Sequence, residues 1–331
     1  MNVTVAAKHR QRIQNPDLNL IDKQVGYMST VSSMAVERAI KFSNLIVNYV
    51  QNTIKTDIVD DYPLTAEELE NIFENDINQG LKPTIYMLTI GSVQSFSVES
   101  IKEVAQAWKK YDVWLHVDAA QLGIYAIVPE LRYIISDLEL VDSFTTNGHN
   151  SLGWSIGSSF CFVKHKDYNK WLTYGSEPTI DGTNRFSIDD NSTKHITHPT
   201  QTNARRVLMT LLSLGKDKII SEFRRHFELA DHFRELISKE DIFELLETKN
   251  KLNAVFFRLK GKSNEDNAKF TDMVVNAGKI FIVISSVHDI TFIRMCIGTF
   301  MNDKESLNQA TELIIKTGHE FLSMQDEVTD N

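Results

Sequence analysis

Short runs of apolar and β-branched residues at 84–89, 113–117, 141–145 and 159–163, with weaker ones at 25–28 and 53–59, alternate with stretches of helical period. That alternation constrains the fold more than any other feature. Near-continuous apolar strands need cover on both faces, and the helices between them supply it. Thr65 followed by Glu68 predicts a capping box, with Leu64 and Leu69 as a hydrophobic staple. Leu69, Ile72, Phe73 and Ile77 then share one face, and Gly80 is placed to end the helix. Ser97 is expected to open a second helix whose stripe is Val98, Ile101, Val104, Ala105 and Trp108. Strands separated by helices of this length predict right-handed crossovers and a parallel α/β sheet.

The stretch 173–202 has no regular apolar period and holds Gly175, Pro178, Gly182 and Pro199, so it reads as a long loop of the kind that often carries function. Beyond it, 204–214 and 216–237 read as helices. Strands are expected at 254–259, 280–284 and 291–297. A last helix capped by Asn302 with Glu305 would bury Leu307, Ala310, Leu313 and Ile314. A chain of 331 residues exceeds what one core usually supports. The expected division is a large α/β unit over 1–164, a loop with connecting helices over 165–218, and a small α+β domain over 219–331.

The formal charge of −9 repels phosphate backbones and anionic lipid, which argues against nucleic acid and membrane surfaces as partners. Apolar runs are too short to span a bilayer. The first twelve residues are polar and basic with no apolar core, unlike a secretory signal, so the expected compartment is the cytoplasm. The two cysteines, Cys161 and Cys296, each sit inside an apolar run and are expected to be buried and reduced. His195 and His198 lack partners at ligand spacing, so no metal is expected.

Asp118 closes a predicted strand, where open α/β sheets place their ligands, and a carboxylate there can hold a cationic ring nitrogen. A second strand ends in the segment Asp142 to Asn150. Position alone leaves open whether such acidic strand ends bind a ligand or merely cap and pair.

The order and spacing of several segments nevertheless resemble one family. Trp114, His116, Val117, Asp118, Ala119 and Ala120 match W-x-H-V-D-A-A, and Pro129, Glu130 and Arg132 match P-E-x-R. Asp142, Ser143, Asn147 and His149 match D-S-x-x-x-N-x-H-K up to its last residue. Val36, Glu37, Arg38 and Ala39 resemble S-V-E-R-A, and Thr89 with Gly91 resembles T-L-G. The run from Phe256 to Lys260 and that from Phe292 to Ile297 resemble the same family's C-terminal domain. These are patterns of the group II pyridoxal-phosphate amino-acid decarboxylases, which act on aromatic amino acids, tyrosine, histidine or glutamate. The resemblance implies a large domain of the pyridoxal-phosphate-dependent transferase type, as in aspartate aminotransferase, of which 1–164 would be a remnant.

It also implies roles. Asp118 would pair with the pyridinium nitrogen, Ala120 would pack on the ring face, and Thr89 would lie near the ring hydroxyl. Asn147 and His149 would lie near the phosphate, and Ser33 stands where the family has a stacking imidazole. Asn150 stands at the position of the Schiff-base lysine. An amide is neither basic nor nucleophilic, so pyridoxal phosphate is expected to be held non-covalently if at all. Ile180, after Pro178 and Thr179, takes the place of a loop tyrosine, and the phosphate-cradling segment of the family would precede Val5. Three functions follow as expectations: a decarboxylase homologue impaired by Asn150, an active decarboxylase with an atypical site, or a non-catalytic partner of an intact paralogue. The expected partners are an amino-acid ligand and a second family chain in a homo- or heterodimer.

Overall fold

A computed structural model describes residues 1–51, 64–151, 157–172, 201–287 and 289–329. The expected strand at 53–59 and the loop with Pro178, Thr179, Ile180, His195 and His198 lie outside the described residues. The first half alternates as the apolar pattern requires: α1 (Asn2–Gln14), β1 (Gln24–Ser29), α2 (Met34–Phe42), β2 (Ile46–Val50), α3 (Ala66–Asn78), β3 (Lys82–Thr89), α4 (Ile101–Lys110), β4 (Trp114–Asp118), β5 (Ser143–Asn147), β6 (Ser159–Val163) and α5 (Tyr168–Leu172). The strands form one sheet in the order β2-β1-β3-β4-β5-β6, parallel except for β6.

Both faces of this sheet are covered, and the two-residue period of the strands divides their side chains between them. Tyr27, Tyr86, Leu88, Leu115 and Val117 pack with Leu69 and Phe73 of α3 and with Val104 and Trp108 of α4. Their neighbours Met28, Ile85, Met87 and Trp114 pack on the other side with Val3, Ala6 and Ala7 of α1 and Val36 and Ile40 of α2. Gly26 permits the close approach of α2, because a Cβ there would stand 2.7 Å from Ile40 Cγ2. The capping box of Thr65 and Glu68 is present, and Gly80 follows the helix with φ +77°.

The second helix starts later than its sequence pattern suggests. Its N-cap is Ser100, whose hydroxyl accepts the Glu103 amide, while Val98 makes an antiparallel bridge to Ile90. Ser97 is instead drawn into a knot of serines with Ser92 and Ser95, so the strand-to-helix turn is three residues longer. Short 3-10 turns at Gly123–Ile127 and Pro129–Ile135 carry the chain from β4 toward β5.

The second half contains α6 (Gln201–Ser238), β7 (Phe243–Leu245), β8 (Ala254–Leu259), α7 (Asn264–Asn276), β9 (Val283–Val287), β10 (Ile290–Cys296) and α8 (Lys304–Thr329). Gly215 breaks α6 with φ 69°, dividing it where the sequence pattern does. The strands form an antiparallel sheet β7-β8-β10-β9 that buries Phe257, Leu259 and Ile293 against Phe233, Phe270 and Ile314. The strand expected at 280–284 is shifted to Val283–Val287, where antiparallel pairing with Ile290–Cys296 fixes the register. The final helix is capped by Asp303, which exchanges bonds with Ser306, whereas Asn302 uses its oxygen on Thr299. Both cysteines are unpaired, as expected, but exposed rather than buried, because Cys161 lies on the open edge strand β6 and Cys296 at the end of β10.

Candidate functional site

The carboxyl ends of β1, β3, β4 and β5 lie side by side, and most of the residues singled out in the sequence gather there. Thr89 pairs with Asp118 across β3 and β4, and Asp118 pairs in turn with Thr145 of β5. Asp118 accepts the Ala120 amide at 3.1 Å, which turns the chain sharply and leaves Ala120 just beyond the strand. Burial pushes the Asp118 carboxyl above its ordinary range, and the Ala120 amide and the Met1 ammonium only partly offset this. A carboxylate in that setting gains strongly from a cationic partner. It borders a cavity of about 260 Å³ that is also lined by Met87, His116, Thr145 and Cys161.

Ser33 is the N-cap of α2, with extended backbone and no side-chain cap bond. Its neighbour Ser32 reaches across to Thr89, with hydroxyl oxygens 2.7 Å apart. On the other flank, buried Asn147 closes β5, and its side-chain oxygen accepts the Asn150 amide at 3.4 Å. His149 is half-buried. Its Nδ1 is shielded from solvent and has no hydrogen-bond partner among the described residues.

Asn150 is exposed, and its side-chain amide donates to the Ala120 carbonyl at 3.3 Å and to Gln121 Oε1 at 3.1 Å. The structure thus ties position 150 to the turn that follows Asp118. Lys164 lies at the opposite edge of the sheet, where its ammonium donates to the Glu139 carbonyl at 2.8 Å. Antiparallel pairing puts Val163 beside Ser143, the first residue of β5, so that lysine is a strand's length from Asn147.

These groups suit a pyridine ring bearing an anionic tail in two respects and fail it in one. Asp118 offers a carboxylate to a ring nitrogen, and the unpartnered His149 Nδ1 offers a polar contact to an anion. No amine stands at position 150.

Sequence reasoning missed the layer behind the strand ends. Glu99, 1 % exposed, takes the Thr89 amide at 2.6 Å, the Tyr86 hydroxyl at 2.5 Å and the Ser29 hydroxyl at 2.9 Å. Burial pushes its carboxyl up to about 7, against the pull of those three donors. A glutamate just before a helix cap gives no sign in the sequence of where its carboxylate will point. His116 was noted only within its motif. It is buried, with Nδ1 2.7 Å from Ser143 Oγ, and burial lowers it to about 3.

Residues 1–260 match the family model described as the pyridoxal-dependent decarboxylase conserved domain. The chain belongs to that family, the group II decarboxylases whose cofactor is pyridoxal phosphate. It is 24% identical to phenylacetaldehyde synthase of Petunia hybrida over 95% of this chain and 65% of that protein. It is 29% identical to the aromatic-L-amino-acid decarboxylase of Drosophila lebanonensis over 85% of this chain and 68% of that one. The crystal structure of Catharanthus roseus tryptophan decarboxylase with L-tryptophan superposes with a TM-score of 0.84 at 22% identity, covering 97% of this chain and 68% of that one. That likeness establishes the α/β transferase-type fold. The chain spans about two-thirds of the length of these relatives.

Proposed function

We propose that this chain is a decarboxylase homologue that holds pyridoxal phosphate without a covalent link and is catalytically impaired. The observation that carries the reading is Asn150, whose amide is spent on Ala120 and Gln121 where the family places its lysine. In this reading Asp118 would hold the ring nitrogen protonated, Ala120 and Ser33 would border the ring, Thr89 would meet its hydroxyl, and Asn147 and His149 would serve the phosphate. The cofactor, when bound, supplies an electron sink for loss of CO2 from an amino acid. Asn150 can neither form the covalent link nor move a proton, so the chain's own contribution is confined to binding and orientation. Losing a nucleophile of this kind removes most of the rate enhancement while leaving a residue from binding and electrostatics.

The test is equilibrium binding of pyridoxal phosphate followed by borohydride reduction. Saturable binding that is weakened by Asp118→Ala, with no reduced adduct on any lysine and negligible CO2 release from aromatic amino acids, histidine or glutamate, is the expected result. An active enzyme would release CO2 at rates typical of the family, and that outcome would remove the impaired reading.

A second reading, a dimer with another copy or with an intact family member, is favoured by one surface. On α6 Leu208, Met209 and Leu212 are 54%, 62% and 71% exposed. Apolar faces of that kind usually mark interfaces. Sedimentation should show a species heavier than the 37.8 kDa chain at micromolar concentration. The two unpaired thiols suit a reducing compartment, in keeping with a cytoplasmic protein.

A further inference from the structure

We propose that the Glu99 carboxyl decides, through the hydroxyls of Ser29, Ser32 and Thr89, whether the Asp118 edge can offer a hydrogen-bond donor to a bound ligand or only an acceptor. The inference deepens the cofactor reading and rests on it. Ser29 Oγ is 2.9 Å from Glu99 Oε2, Ser32 Oγ is 3.1 Å from Ser29 Oγ, and Thr89 Oγ1 is 2.7 Å from Ser32 Oγ. All four residues are at most 7 % exposed, so bulk water has little access to mend a wrongly turned hydroxyl.

Counting hydrogens gives the consequence. Each hydroxyl carries one hydrogen, and a carboxylate only accepts. When Glu99 is ionised, Ser29 donates to Glu99, Ser32 to Ser29, and Thr89 inward to Ser32 or to the carboxylate itself. All three hydroxyl hydrogens then point inward, and Thr89 shows only lone pairs to anything beyond it. A proton on Glu99 adds a fourth hydrogen, the chain can reverse, and Thr89 is free to donate.

Glu99 is poised to take both forms. Burial drives it to about 7, while the Tyr86 hydroxyl, the Thr89 amide and Ser29 stabilise the charged form. Tyr86 is the titratable group in direct contact with it, and Glu103 of α4, Asp137, Tyr133 and Lys249 line a cleft together with Glu99. A ligand whose ring oxygen is anionic needs a donor from Thr89, so its binding should be coupled to uptake of one proton by Glu99.

Glu99→Gln should break the coupling. The Thr89 amide and Ser29 both approach the same carboxyl oxygen, so the carbonyl of glutamine must take that place and turn its NH2 toward Tyr86. Ser29 then still donates inward at every pH. The experiment measures pyridoxal phosphate binding from pH 5.5 to 8.5 in the full chain, in Glu99→Gln and in Glu99→Asp, alongside the analogue lacking the ring hydroxyl. Infrared titration of the unliganded chain is run in parallel. For pyridoxal phosphate, affinity of the unsubstituted chain should fall by up to about tenfold per pH unit above neutrality relative to Glu99→Gln, because one proton is linked. Glu99→Asp should keep a pH dependence, the analogue should show no difference between chains, and a carboxyl band titrating near neutrality should vanish in Glu99→Gln. Parallel affinity curves in the two chains, or no such band, would overturn the proposal while leaving the cofactor reading intact. Failure of every variant to bind pyridoxal phosphate, with the infrared band present, would overturn the cofactor reading and with it the role assigned to Glu99.

Discussion

Replacing Asn150 by lysine tests the chemistry of this edge most directly, and the structure sets what the substitution costs. The wild-type side chain makes two amide bonds, at 3.3 and 3.1 Å, from an exposed position. Long, solvent-accessible bonds of that kind sit at the low end of the net range, so their joint loss costs about 1 kcal/mol. The lysine ammonium can reach water, which leaves no buried charge to be compensated. For a chain of this size the expected fall in Tm is therefore only about 2 °C. A folded Asn150→Lys protein is thus available for chemistry. Incubated with pyridoxal phosphate and reduced with borohydride, it should carry one adduct, mapped by mass spectrometry to position 150, and Asp118→Ala in the same background should diminish it. The unsubstituted chain should carry none. Two results would refute the reasoning. An adduct on Lys164 or another lysine of the unsubstituted chain would show that the covalent anchor survives elsewhere. A folded Asn150→Lys chain that binds the cofactor yet is never labelled would show that position 150 is not the anchor's place.

Stability offers further tests. Gly91 has φ +88°, and a Cβ there would lie 2.4 Å from Leu122 Cγ, so Gly91→Ala should destabilise by about 2–5 kcal/mol in urea unfolding. Asp76 receives the Tyr27 hydroxyl at 2.7 Å and the Asn48 amide at 2.9 Å, so Asp76→Ala should cost about 2–3 kcal/mol by stranding a buried phenol. Two buried groups tilt the pH profile in opposite senses. His116 is lowered from 6.5 to about 3, so its contribution is complete above 6.5 and is lost as pH falls below it. Glu99 is raised from 4.5 to about 7, so its contribution is complete below 4.5 and is lost as pH rises through 7. Between pH 6.5 and 4.5 each is worth about 1.4 kcal/mol per pH unit, with opposite sign. Relative to the unsubstituted chain, His116→Gln should therefore gain stability on acidification and Glu99→Gln should lose it. Superimposable unfolding curves at pH 5 and 7 for either variant against the parent would contradict the assignment.

The sequence alone determined most of the elements and the family. Apolar strands flanked by capped helices announce themselves because burial on both faces demands continuous hydrophobic runs, and the Asp118 and His149 motifs kept their spacing. The identity of residue 150 was likewise plain, and so was the chemical incapacity of an amide there. What the pattern could not show was anything decided by contacts between distant segments. Helix α1 carries few large apolar residues, and its packing through Val3, Ala6 and Ala7 is joined by Arg10, which lies over the Trp114 ring at 5.4 Å and bonds the Asp112 carbonyl at 2.8 Å. Strand β2 is half-exposed and reads as nothing in particular until β1 pairs with it. The cap of α8 passed from Asn302 to Asp303 because the Asn302 oxygen was taken by Thr299. Glu99 is the clearest case. Its residue type and its place before a helix predict a solvated carboxylate, yet Tyr86, Thr89 and Ser29 arrive from two strands and enclose it. Local pattern reports what a segment needs to bury, whereas the partners that satisfy a buried polar group come from wherever the sheet brings them, and only the folded chain brings those three donors to one carboxyl.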